Sequence, residues 1–266
     1  MIAYIILVIV VVFMLLPFFW VFMGSFKTQG EFLSNPGAWL PKQVQFQNFV
    51  DLFVVGGFGR YMLNSILVST AAVAANLLFS SMAGYALAKL RFRGRGVVFP
   101  LVIVSMMVPY VALIVPQFVI VVQMGLVNTL VAVALPVLVL PLCVFIMRQF
   151  SHSIPFELLE AARIDGASEP RIFFGVVLPL SGPALATVGI LSFLASWNNF
   201  LWPLVVAQSQ ETYTAPIGLS VASQASNTVA FGILLAGAVV VLLPILVLFL
   251  FLQRYFIQGV ATAGLK

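Results

Sequence analysis

The sequence predicts an all-α membrane protein with six transmembrane helices and both termini on one face. Three observations carry that prediction. The 266 residues are 63% hydrophobic and only 7% charged, whereas a soluble domain is about 25% charged and needs polar surface to cover itself. Six stretches approach or exceed the roughly 20 apolar residues that cross a bilayer, and none of the six contains Asp, Glu, Lys, Arg or His. Finally, the basic residues are distributed asymmetrically between the connections.

The expected spans are Ile2–Met23, Tyr61–Ala88, Val97–Gln123, Leu130–Met147, Pro183–Ala207 and Val229–Leu252. The first has no basic n-region and no small-residue cleavage site, so it reads as a retained helix and not a signal peptide. The absence of basic residues ahead of it places the expected natural start a little before Met1. The fourth span is short and carries Pro136 and Pro141, so it is expected to kink. Prolines are tolerated there when neighbours satisfy the carbonyls they free.

Orientation follows from Lys and Arg. With six spans, Lys89, Arg91, Arg93, Arg95, Arg148, Arg163, Arg171, Arg254 and Lys266 share one side. Only Lys27, Lys42 and Arg60 lie on the other, and nine against three puts both termini in the cytoplasm. The net charge of +5 is therefore a topology signal, and nucleic acid is not an expected partner. The outer connection Gly24–Arg60 holds Trp39, Phe46, Phe49 and Phe53 among polar residues and should form short amphipathic pieces. Gln208–Thr228 is rich in Ser, Thr and Gln and reads equally as a partner-facing loop or a solvated connector. The expected organisation is a first helix with its outer loop at 1–60, a core of five helices at 61–252, and a tail at 253–266.

The chain contains no recognisable motor. Its spans lack the ionisable groups that proton- or ion-coupled carriers commonly use, although uncharged carbonyl and hydroxyl sodium sites stay open. There is no G-x-x-x-x-G-K-[ST] phosphate loop. One histidine, His152, and one cysteine, Cys143, build neither a metal site nor a nucleophilic triad. His152 reads as interfacial and Cys143 as a small buried hydrophobe. Glu157 and Glu160 share a helix with no cleft in evidence. An enzyme is not expected, and no cofactor or metal site is assigned.

The long cytoplasmic loop at 153–180 reads as two short helices joined at a glycine. Pro155 fits the first turn, where its missing N–H costs nothing, and Glu157 meets the positive end of the helix dipole. Gly166 fits the left-handed position that ends the first helix. Ser168 is placed to cap the second, with Pro170 in its first turn. Phe156, Leu159, Ile164 and Phe173 are too apolar for a plain solvated loop. An amphipathic hairpin on the headgroups is the plainer alternative. Glu160, Ala161 and Ala162 combine a carboxylate with a surface that permits close approach.

Those residues resemble a family signature. Glu160-Ala161-Ala162, then Gly166, then Val176-x-Leu178-Pro179 matches the EAA loop of ATP-binding-cassette (ABC) importer permeases, with Val176 where that family prefers Ile. Asn64-Ser65, Gly84-Tyr85-Ala86-Leu87-Ala88, Trp197-Asn198-Asn199-Phe200 and the tail Ile257-Gln258-Gly259-Val260 extend the likeness over nearly the whole chain. It is similar to the carbohydrate-uptake branch, in particular to the second permease of maltose-type systems. The resemblance implies a type I importer fold in the cytoplasmic membrane of a prokaryote. It also implies partners: a second permease, two ABC ATPase subunits that bind ATP and Mg, and an extracytoplasmic solute-binding protein that delivers a sugar. Glu160, Ala161, Ala162, Asp165, Gly166 and Pro179 would then form the coupling unit, with Glu160 meeting a basic residue of the ATPase. A permease for another solute, such as glycerol phosphate, a stand-alone secondary transporter or a membrane scaffold remains the alternative.

An uncharged sugar needs amides, hydroxyls and aromatic faces. Asn76, Gln117, Trp197, Asn198, Asn199 and Trp202 are the candidates for its path. The alternative role for each amide is an interhelical hydrogen bond, and for Trp202 interfacial anchoring.

Overall fold

The computed structural model of the chain describes residues 1–223 and 230–263, with Ile2 and residues 252–263 described by backbone alone. The tail signature at Ile257–Val260, Arg254, Lys266 and the segment 224–229 therefore lie outside the described side chains.

Helix α1 (Ile2–Gly24) is followed by two short pieces, α2 (Gln29–Ser34) and α3 (Gln47–Val50). Helix α4 (Phe58–Ala75) continues through a π-helical turn at Asn76–Ser80 into α5 (Ser81–Lys89). Then come α6 (Arg95–Met107), α7 (Tyr110–Gln123), α8 (Leu130–Ala134) and α9 (Pro141–Ser153). The loop contributes α10 (Phe156–Ile164), α11 (Glu169–Ile172), a π-helical turn at Phe173–Val177 and α12 (Leu178–Leu180). The chain continues as α13 (Gly182–Trp197), α14 (Leu201–Val206), α15 (Ala215–Ala222) and α16 (Phe231–Ala263).

Among the described residues three helices, Ala3–Gly24, Phe58–Lys89 and Phe231–Phe251, are long and apolar enough to cross a membrane, and the number is up to six if each of three bent pairs is one span. The expected third span is not one helix. It breaks by 107° between α6 and α7, because Pro109 forces Val108 into an extended conformation (ψ 122°). At about 20 Å each, the two halves are too short to cross separately. The expected fourth span bends by 43° at its prolines. The expected fifth is interrupted at Asn198–Phe200, between α13 and α14.

The chain divides into two compact units. One comprises Met1–Asn64 and Tyr213–Val247. Its core is Leu52, Phe58, Tyr61, Ala215, Ala222 and Ala236. Between Ala215 and Ala222, helix α15 stands where a solvated connector was one of the two readings of Gln208–Thr228. Its Ala215, Ile217, Gly218 and Ala222 are buried, and a Cβ on Gly218 would strike the Tyr61 ring at 2.0 Å. The outer connection does form short pieces. Thr28 and Glu31 make a reciprocal capping box on α2. Asn48 donates to the Ser25 and Lys27 carbonyls at 2.8 Å each. The buried Lys27 ammonium donates to the Ala38 carbonyl.

The second unit is built mainly on Ser65–Thr212. Its tightest helix contact is α5 on α9, set by Gly84, where a Cβ would lie 2.6 Å from the Arg148 backbone nitrogen. Two proline breaks there are repaired by side chains. Pro141 has no N–H to give the Val137 carbonyl, and Asn76 Nδ2 donates to that carbonyl at 2.8 Å. Asn76 Oδ1 accepts from Leu140 N at 2.8 Å and from Ser80 Oγ at 3.2 Å. Pro136 similarly frees the Ala132 carbonyl, which Trp202 Nε1 takes at 2.9 Å.

Candidate coupling site and apolar cavity

Pro155 is the extended N-cap of helix α10 (ψ 138°) and not, as expected, part of its first turn, and the helix ends in a complete glycine cap. Gly166 has φ +81°; its N–H donates to the Arg163 carbonyl and that of Ala167 to the Ala162 carbonyl, both at 3.0 Å. Ser168 stands at the N-cap of α11 but makes no side-chain capping bond. Pro170 removes one of the two amides that such a cap would use.

The loop has two unlike faces. Leu159, Ile172, Phe173 and Val177 are buried with Ile154 against Tyr85 of α5. On the other face Glu160, Ala161, Asp165, Gly166 and Pro179 are exposed, and Ile164 is 86% exposed. Ala162 is half-buried beneath them. An apolar face of this kind fixes the unit, while the carboxylate ridge stays available for another surface.

Polar contacts fasten the unit at both ends of α10. Lys89 donates to the Ile154 carbonyl and to the His152 carbonyl (3.2 Å), and its Nζ lies 4.1 Å from the Phe156 ring centroid. Glu169 accepts from Tyr85 Oη at 2.7 Å and from Arg163 Nε at 2.8 Å. The hydrogen bond from Arg163 holds the Glu169 carboxyl below its ordinary value, and the same bond holds the Arg163 guanidinium above its own. Lys89, Arg91, Phe156, Glu160, Arg163 and Glu169 line a cavity of about 580 Å³.

A second, mostly apolar cavity of about 1030 Å³ lies among α6, α7, α9, α13 and α14. Gln117, Asn198 and Asn199 line it, together with Tyr110. Asn199 Nδ2 approaches Tyr110 Oη at 3.4 Å, and Gln117 Oε1 is buried without a hydrogen-bond partner. The other three path candidates do not line this cavity. Asn76 and Trp202 are fully buried at the proline breaks, and Trp197, 1% exposed, stacks on Phe193 at 5.2 Å. Tyr110 was not singled out by the sequence; its only signal was its place directly after Pro109. His152 is exposed and Cys143 is buried. Among the described residues no three His, Cys, Asp or Glu side chains converge as metal ligands.

Residues 76–262 match a family described as the binding-protein-dependent transport system inner membrane component. The chain belongs to that family. It is accordingly a multi-pass membrane component of a transport system. The arabinooligosaccharides transport system permease protein of Halalkalibacterium halodurans is 44% identical over 248 residues, 92% of this chain and 88% of that protein. The protein of the same name from Bacillus subtilis is 40% identical over 95% of this chain and 90% of its own length. The diacetylchitobiose uptake system permease protein of Streptomyces coelicolor is 34% identical over 95% of this chain and 84% of its own. In the crystal structure of a bacterial ABC transporter involved in the import of the acidic polysaccharide alginate, one chain matches with a TM-score of 0.83 and 23% identity, covering 96% of this chain and 95% of that one. The fold is thus that of an ABC transporter permease, as the sequence resemblance implied.

Proposed function

We propose that this chain is one of two permease subunits in an ATP-driven, binding-protein-dependent importer of an oligosaccharide, in the cytoplasmic membrane of a prokaryote. The exposed carboxylate ridge of α10, fixed from behind by a buried apolar face, carries this reading. A coupling element must offer a docking surface and must not yield when pushed. Glu160 meets a basic residue of a separate ABC ATPase, Ala161 permits close approach, and Gly166 fixes the turn. ATP and Mg²⁺ are held by the ATPase pair, and this subunit contributes no catalytic group. The excess of Lys and Arg on the loop side supports a cytoplasmic position for the unit.

The sugar passes through a path to which Gln117, Asn198, Asn199 and Tyr110 contribute amide, hydroxyl and aromatic surface. The names of the relatives favour a short pentose or amino-sugar oligomer as cargo. Alternating access follows from rigid-body movement of the permease pair when the ATPases close.

Purification of the tagged chain from its host membrane tests this. The expected result is co-purification of a second permease and an ATPase. Proteoliposomes holding that complex and the cognate binding protein should take up an arabino-oligosaccharide only when ATP is present on the ATPase side. A chain that purifies alone and drives uptake without ATP would overturn the proposal.

A further inference from the structure

Lys89 and Tyr85 lie one turn apart on the last two turns of α5, on the same helix face. Each reaches a different end of α10. Lys89 as a whole is 4% exposed. Its ammonium donates to the carbonyls of His152, near the end of α9, and of Ile154 in the junction, and sits over Phe156, the first residue of α10. Tyr85 reaches the far end of α10 through Glu169 and Arg163. Between α9 and α10 the chain is extended at Ile154 (ψ 128°) and Pro155 (ψ 138°). The Ile154 N–H still donates to the Ser151 carbonyl at 3.3 Å, closing α9, but the extended backbone beyond it is bridged by Lys89.

Burying a lysine on neutral carbonyls is a costly way to pack a helix end. An apolar side chain of similar length would fill the site at no greater cost in stability. What the ammonium supplies and a hydrocarbon cannot is directional attachment of both sides of the junction to α5. We propose that Lys89 and Tyr85 are positioning residues that lock the coupling unit to the end of the second span as one lever. Movement of α10 is thereby delivered to α5 and is not absorbed at Ile154–Pro155. This rests on the importer reading above and names the residues through which that reading works.

The test uses the whole complex in proteoliposomes with its binding protein and an arabino-oligosaccharide, scoring sugar taken up per ATP hydrolysed. Lys89→Met should assemble and hydrolyse ATP while uptake per ATP falls, by about 2- to 30-fold for a coupling change of ordinary size. Lys89→Arg, which keeps the charge and the donors, should restore most of the ratio. Tyr85→Phe removes one hydroxyl and leaves the ring, so it supports the same measurement should Lys89→Met fail to assemble; its ratio should fall as well. An unchanged ratio in Tyr85→Phe and in assembled Lys89→Met would overturn the proposal, as would an uptake loss that only tracks the amount of assembled complex. Failure of the importer reading looks different: the unmodified chain would bring no ATPase with it.

Discussion

Replacing Asn76 by Leu separates two roles that one amide in a transporter could have. The side chain is fully buried. Its Nδ2 holds the Val137 carbonyl that Pro141 orphans, and its Oδ1 holds the Leu140 N–H, each at 2.8 Å. Leucine keeps the branching at Cγ and the number of side-chain heavy atoms and removes both cross-helix bonds. Such bonds in membrane proteins contribute about 0.6 kcal/mol on average and up to about 1.7, so the loss should total about 1–3 kcal/mol. At roughly 2–4 °C per kcal/mol for a chain of this size, the thermal midpoint should fall by about 2–12 °C. The assay is a thermal denaturation scan of the purified complex in nanodiscs, paired with the KM for sugar uptake. The midpoint should drop and the KM should stay within about twofold, since no substrate contact is lost. A variant that keeps its midpoint and raises its KM would refute the reasoning and return Asn76 to the substrate path.

Two further outcomes follow from the same packing. Gly84→Ala places a methyl group 2.6 Å from backbone and side chain of α9, so overpacking of about 1–3 kcal/mol should lower the midpoint. Gly96→Ala, with nothing within 4 Å, serves as the control, and equal behaviour of the two would contradict the close approach. The Arg163–Glu169 pair should show a pH signature. The Glu169 carboxyl is held below its unfolded value, so its contribution is complete at neutral pH and is lost as pH falls through the lowered value. With 35% and 41% exposure of the two side chains, solvent screening limits it to about 0.5 kcal/mol. The stability difference between the wild type and Glu169→Gln should therefore shrink on acidification, and a pH-independent difference would argue against the pair.

Much of the fold was legible because it depends on local chemistry. Gly166 closes α10 in the left-handed conformation expected of a glycine at that helix end. Most of the apolar stretches recur as helices or bent helix pairs, but the pair at the expected fifth span joins Glu169–Leu180 of the loop to Gly182–Trp197. The break at Val108–Pro109 was hidden because hydropathy reads residues 97–123 as one apolar run; only the steric effect of Pro109 on Val108 distinguishes it. Helix α15 was hidden by the Ser, Thr and Gln around it, though Ala215 and Ala222 fill a core and Ile217 is buried. The carbonyls freed by Pro136 and Pro141 follow from counting four residues back. That Trp202 and Asn76 are the donors that reach them is set by tertiary packing, which spacing along the chain does not encode. Lys89 counted as one of nine topology charges, and its attachment to the Ile154 carbonyl emerged only with the folded loop.

The central claim is that work enters through the exposed ridge of α10. Glu160→Lys reverses the charge of an exposed side chain without disturbing the buried face. Co-purification of the ATPase with this variant, and ATP-driven sugar uptake by proteoliposomes made from it, measure the claim directly. The account predicts that the fold is retained while ATPase association or uptake is lost. Unchanged association together with unchanged uptake would contradict it.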